Sequence, residues 1–156
     1  MARRTWRQAP TVSVVSSPGV DRIPCVGAIV VDDGGRLLLV RRGQEPARGT
    51  WSVPGGRVEA GESDEEATVR EVLEETGLVV VCGRLVGTVE RAAPGGGVYV
   101  IRDYLCRAAP GSDVDAVRAG DDAADARWFT LSEIGGLDCA PGLVDALTEW
   151  GVLPTG

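Results

Sequence analysis

The chain contains no histidine and no lysine; all 16 of its basic residues are arginine. The first absence removes imidazole from every chemical step, so a general base has to be Asp, Glu, Cys, Tyr or a metal-bound hydroxide. Zinc sites built on histidine fall with it. The second absence removes Schiff-base chemistry. The four cysteines, Cys25, Cys82, Cys106 and Cys139, include no Cys-x-x-Cys pair, and they read as free thiols in a reducing compartment. No segment reaches the ~20 apolar residues that span a bilayer. The basic N-terminal stretch has no apolar run long enough for a signal peptide. The expectation is a soluble, cytoplasmic protein with no membrane partner.

Positive charge is also short: the formal net charge is −7. Nucleic-acid backbones attract Lys and Arg, so a broad nucleic-acid surface is disfavoured. A small phosphate compound is compatible, because a few placed arginines or a cation reverse the local sign. With 156 residues, 44% of them hydrophobic, the chain is long enough for one domain around one core.

Residues 1–22 are polar and interrupted by Pro10, Pro18 and Gly19. They read as a flexible N-terminal arm carrying a short strand at Thr11–Ser16, with the domain proper at 23–156. An arm of this kind can exchange between the subunits of a homodimer. Val26–Val31 and Arg36–Arg42 flank the turn Asp32-Asp33-Gly34-Gly35, which predicts a hairpin. Trp51–Val53 is a short strand stopped by Pro54-Gly55-Gly56. Leu78–Glu90 and Gly97–Ala108 are two more strands, joined by a turn at Ala93-Pro94-Gly95-Gly96. The loop Gly120–Asp125 leads into the strand Arg127-Trp128-Phe129, and Leu143–Trp150 is a short amphipathic helix. Strands outnumber helices, so the expected class is α/β, a mixed sheet with a few helices packed on it. The aromatic rings Trp51, Trp128, Tyr99 and Tyr104 are each expected in the core before a base-stacking role.

Ser63–Thr76 is the best-marked helix, with Ser63 and Glu66 spaced as a capping box and Gly77 at its end. Its charge pattern is unusual. Glu59–Glu75 holds eight acids, Glu59, Glu62, Asp64, Glu65, Glu66, Glu71, Glu74 and Glu75, answered only by Arg70. Asp64–Glu66 sit at the positive end of the helix dipole, but Glu71, Glu74 and Glu75 crowd its negative end. Glu71 and Glu75 also form an i, i+4 like-charge pair, at a cost of about 0.2–0.5 kcal/mol. At about 100° per residue these three carboxylates share one face, with Val69, Val72, Leu73 and Thr76 on the face expected to bury. Three carboxylates aimed at one point suit a hard cation such as Mg²⁺ or Mn²⁺. A solvated acidic face is the alternative.

The wider spacing decides between them. From Gly56 the chain reads GRVEAGESDEEATVREVLEETGL. This resembles the Nudix box without departure, through Gly56, Glu62, Arg70, Glu71, Val72, Glu74, Glu75, Gly77 and Leu78. The flanks Leu37–Arg42, Trp51–Gly56 and Arg127–Phe129 extend the resemblance over roughly residues 23–150. The resemblance implies a Nudix α/β/α sandwich with a central mixed sheet. It implies that Glu71 and Glu75 are metal ligands, with Glu74 a further one and the Gly55 carbonyl completing a site for Mg²⁺ or Mn²⁺, more than one ion during turnover. It implies that Arg42, and the backbone at Gly56, meet the substrate phosphates, and that Arg70, Glu62 and Gly77 serve structure. Glu71, Glu74 or Asp122 on the later loop would take part in catalysis, Glu71 and Asp122 being the candidates for the base. Asp122 stands where many relatives carry Glu. The implied activity is metal-dependent hydrolysis of a phosphoanhydride in a nucleoside diphosphate derivative such as ADP-ribose. Alternatives are a nucleotide-sanitising (deoxy)nucleoside triphosphate pyrophosphatase and a Nudix-fold nucleotide sensor without turnover, a class that typically loses box carboxylates retained here. Pro94 lies near a position where ADP-ribose-cleaving relatives often carry proline, but the turn explains it equally well.

Overall fold

Strand β1 (Arg22–Val30) is buried without a break from Cys25 to Val30, and a strand buried on both faces has to be covered on both. The computed structural model describes residues 20–45 and 47–153; the proposed strand at Thr11–Ser16 and most of the arm lie outside them. The described residues form seven strands: β1, β2 (Leu37–Arg42), β3 (Trp51–Ser52), β4 (Gly55–Arg57), β5 (Val80–Ala92), β6 (Val98–Ala108) and β7 (Ala123–Phe129). Among the described residues the helices are α1 (Asp64–Thr76), α2 (Leu131–Ile134) and α3 (Leu143–Glu149), with a 3-10 turn at Val114–Ala116. Two sheets form, one mixed in the order β4-β1-β6-β5 and one of order β3-β2-β7. The β1–β6 pairing is parallel, and the other pairings are antiparallel.

Alternation along the strands divides the core. Ala28 and Val30 of β1 and Leu38 of β2 pack with Val72 of α1 and Leu78. Ile29, Leu37 and Leu39 face the other way, onto Ile134, Leu147 and Trp150 of the C-terminal segment. The period-2 geometry of a strand thereby yields the expected sandwich, with α1 on one side of the sheet layer and α2–α3 on the other. No helix among the described residues is long and apolar enough to cross a membrane.

Several expectations are corrected. The sequences of β1 and β2 do not make a hairpin: apart from one bridge between Val31 and Leu37, they belong to different sheets. The turn between them is real, with Gly35 N donating to Asp32 O at 3.0 Å, but both strands find longer partners elsewhere. β1 begins at Arg22, and Asp21 O accepts from Val98 N at 2.8 Å, so the sheet starts within the stretch read as arm. β7 starts at Ala123, inside the segment read as loop. On α1, Leu73 is 48% exposed, and Ala67 and Thr68 take the buried places beside Val72 and Thr76. At about 100° per residue Ala67, Thr68, Val72 and Thr76 fall within one half of the wheel and Leu73 lies outside that arc, so the buried stripe is rotated from the expected one.

Candidate active site

The acidic face of α1 meets the backbone of β4. Helix α1 starts in a reciprocal cap: Ser63 Oγ accepts from Glu66 N at 3.1 Å, and Glu66 Oε1 accepts from Ser63 N at 3.1 Å. It ends at Gly77, whose φ of 76° is left-handed and whose N–H donates to Leu73 O at 2.9 Å. Both ends being fixed, the angular positions of Glu71 and Glu75 are fixed too. β4 pairs with β1 through Val26↔Gly56 and Gly27↔Gly55, and α1 packs across it. A Cβ at Gly56 would lie 2.5 Å from Glu71 Oε1 and 2.9 Å from Oε2. Only glycine lets that carboxylate rest on the backbone. A Cβ at Gly55 would overlap the Val26 carbonyl, so the same argument holds one residue earlier.

Glu75 is turned into the same place. Its Oε1 accepts from Gly55 N at 3.3 Å, and its carboxyl lies against that of Glu71. Burial, first, and the Glu71 carboxylate beside it, second, push Glu75 up to about 8, while the Gly55 N–H and the charge of Arg42 act the other way. Two carboxylates held together out of water need a proton or a cation between them. The donor set is all oxygen and the cradle is glycine, which fits a hard divalent ion. Glu74 is placed differently. It is 57% exposed, and its Oε2 accepts from Arg70 Nη1 at 3.2 Å. Among the described residues no three acids or thiols converge closely enough to hold a metal ion. The structure therefore brings Glu71 and Glu75 together at Gly55–Gly56 and leaves Glu74 on the rim.

Arg70 ties the box together. Its Nε and Nη2 meet Glu62 Oε2 and Oε1 at 2.7 and 3.0 Å, a bidentate pair. Nη1 reaches Glu71 Oε1 at 2.9 Å, and Nη2 also donates to Arg57 O at 3.0 Å. One guanidinium thus joins the loop before the helix, β4 and the acidic face.

Arg41 and Arg42 end β2 at a bulge. Arg41 is exposed with Nε on Gly49 O at 3.2 Å. Arg42, whose charge acts on Glu75, lines a cavity of about 350 Å³ with Val53, Tyr99, Ile101, Asp103 and Trp150 among its walls; none of the acids of α1 lines it. Of the four rings considered from sequence, only Tyr99 lines it. Trp51 packs edge-on against Phe129 at 4.9 Å, Trp128 Nε1 donates to Val114 O at 2.8 Å, and Tyr104 OH donates to Asp64 Oδ2 at 2.7 Å.

Asp122 is exposed, and among the described residues its carboxylate has no hydrogen-bond partner. Its loop is held to the elements on both sides. Arg118 N donates to Thr76 O at 3.0 Å and Gly120 N to Glu75 O at 2.8 Å. The free carbonyls at the end of α1 anchor the loop, a hydrogen-bond source that its low apolar content conceals. On the other side, a Cβ at Gly43 would lie 2.8 Å from Asp122 O, so the loop bridges α1 and the end of β2. Sequence reasoning missed Asp103, Arg91 and Trp150 as cavity residues. The available signal was glycine inside strands, at Gly27 and Gly87, which marks close approach.

Comparison with known proteins agrees with this geometry. The NUDIX domain model matches residues 21–149, and the chain belongs to the Nudix family. It is similar to an ADP-ribose pyrophosphatase of Methanocaldococcus jannaschii, 34% identical over 105 residues, covering 67% of this chain and 60% of that one. It is also similar to a CTP pyrophosphohydrolase of Escherichia coli, 40% identical over 73 residues, 47% of this chain and 54% of the other. The matched region thus spans less than two thirds of either relative's length. The solved structure of a MutT protein from Methanosarcina mazei superposes with a TM-score of 0.72 at 26% identity, over 86% of this chain and 96% of that one. Members of the family generally use divalent metal ions.

Proposed function

We propose that the chain hydrolyses a phosphoanhydride bond in a nucleoside diphosphate derivative, ADP-ribose or a similar nucleotide sugar. The observation that supports this most is the Glu71–Glu75 pair seated on Gly55–Gly56, within reach of the charge of Arg42, which also lines a cavity of about 350 Å³. Glu71 and Glu75 would hold Mg²⁺ or Mn²⁺, with the Gly55 carbonyl as a further oxygen donor and Glu74, on the rim, acting through water. Such an ion neutralises phosphate charge and makes water a nucleophile near neutral pH.

The protein's own groups do the rest. Arg42 meets the phosphates, and the cavity takes the nucleoside and excludes water from it. Arg70 keeps the Glu71 carboxylate aimed at the site and is a positioning residue. Asp122, on the loop joining α1 to the end of β2, accepts a proton, with Glu71 as the other acceptor. The relatives named for ADP-ribose and for CTP frame the test. Release of AMP with ribose 5-phosphate from ADP-ribose is the expected result. A monophosphate with pyrophosphate from nucleoside triphosphates would favour the triphosphate pyrophosphatase instead. Binding with no turnover under Mg²⁺ or Mn²⁺ would leave only a sensor.

A further inference from the structure

Asp103 is a carboxylate in an apolar wall. It is 5% exposed, and its Oδ1 has no hydrogen-bond partner. Burying an ionised carboxylate without a partner costs more than burying a neutral polar group, and burial pushes Asp103 up to about 7. The position is prepared for it by both neighbouring strands. In register, Asp103 lies opposite Gly27 of β1 and opposite Gly87 of β5. A Cβ at Gly27 would overlap the Asp103 carboxylate, and a Cβ at Gly87 would overlap the indole of Trp150 around Nε1. The Trp150 Nε1 is itself buried without a partner. Two glycines flanking one residue thus seat an unused acceptor and an unused donor, and both residues line the cavity that Arg42 also lines. Arg91 lies near Asp103 in charge terms, but its Nη1 donates to Glu90 O at 3.0 Å.

We propose that Asp103 is a specificity-determining residue that accepts a hydrogen bond from the amino group of a nucleobase, with Trp150 Nε1 donating to an acceptor on the same base. This rests on the reading that the substrate is a nucleotide. Above about pH 8 Asp103 is ionised and a carboxylate only accepts, so at that pH, used for the titrations, the ligand has to bring N–H. Adenine, guanine and cytosine carry an exocyclic amino group that projects from the ring edge, with a ring nitrogen or carbonyl oxygen nearby as acceptor. Uracil and thymine offer only N3–H, recessed between two carbonyl oxygens whose lone pairs oppose a carboxylate. The cavity therefore favours amino-bearing bases, whichever anhydride is cut.

The test compares CMP and UMP, which differ at this edge, by calorimetric titration with the wild type and Asp103→Asn, alongside kcat/KM for CTP and UTP with Mg²⁺. The wild type is expected to bind CMP at least ~10-fold more tightly than UMP, the discrimination of one well-made base contact. Asp103→Asn keeps the shape and adds an N–H donor that a uracil carbonyl accepts. The CMP/UMP ratio should fall at least ~5-fold, by a gain for UMP as well as a loss for CMP, and the kinetic change should lie in KM rather than kcat. A purely structural role would lower both ligands together and leave the ratio. Equal binding of CMP and UMP by the wild type overturns the assignment even if the variant fails to fold, as does an unchanged ratio in a folded variant, or no binding of either nucleotide. The two readings fail separately: binding with the predicted ranking but no turnover sinks the hydrolase alone, and turnover with a flat ranking sinks the role of Asp103 alone.

Discussion

Replacing Glu75 by glutamine should make the metal-free protein more stable, and more so at higher pH. In the unfolded chain this carboxyl loses its proton near 4.5; in the fold it is pushed up to about 8 by burial and by Glu71. Between those values the fold holds a proton that the unfolded chain has released, so stability falls as pH rises through the window. At 1.36 kcal/mol per pH unit of displacement, the ionised fold is penalised by at most ~5 kcal/mol. Relaxation of Glu71 and entry of water reduce this, and ~1–3 kcal/mol is the expected difference. Glutamine keeps the shape and the Gly55 N–H contact but carries no charge. The assay is urea unfolding of both proteins in a chelator at about pH 5 and about pH 8.5. The advantage of Glu75→Gln should be small at the lower pH and open at the higher. A gap of the same size at both, or a more stable wild type at the higher pH, would refute the buried carboxylate pair.

The same variant should lose at least ~10²-fold in kcat with saturating Mg²⁺ or Mn²⁺; near-normal turnover would show that the pair is not the metal site. Because protons compete with metal for Glu75, the wild type's Mg²⁺ affinity by titration calorimetry should rise from about pH 6.5 to about pH 8.5, and a flat profile would exclude Glu75 as ligand. Arg70→Lys removes the two-pronged hold on Glu62 and the reach to Arg57 O, and should cost about 1–3 kcal/mol in urea unfolding; a loss under ~0.5 would mean the network is only a surface array. Asp122→Asn should lower kcat by ~10² or more with metal affinity unchanged, while Asp121→Asn has little effect; retained activity in the first would move the proton to Glu71.

The site helix was legible because its information is local. Capping box, terminal glycine and the Glu71–Glu75 spacing lie within one segment of chain, and helix geometry converts spacing into direction. The β1–β2 region shows where that stops. Two apolar runs around a Gly-rich turn satisfy every local rule for a hairpin, yet β1 prefers nine parallel partners on β6, from Val98 to Cys106. That competition is decided by a strand far along the chain.

The sequence by itself determined the family and the cap-to-cap extent of α1, since each follows from short-range spacing. Tertiary structure decided which carboxylates meet. Glu71 and Glu75 converge because β4 presents glycine backbone to them, and Glu74 stands off because Arg70 reaches it from the rim. It also decided that an unremarkable Asp in the middle of β6 lies between two glycines of its neighbouring strands. Strand register is set by packing over the whole sheet, and no local pattern around Asp103 encodes it.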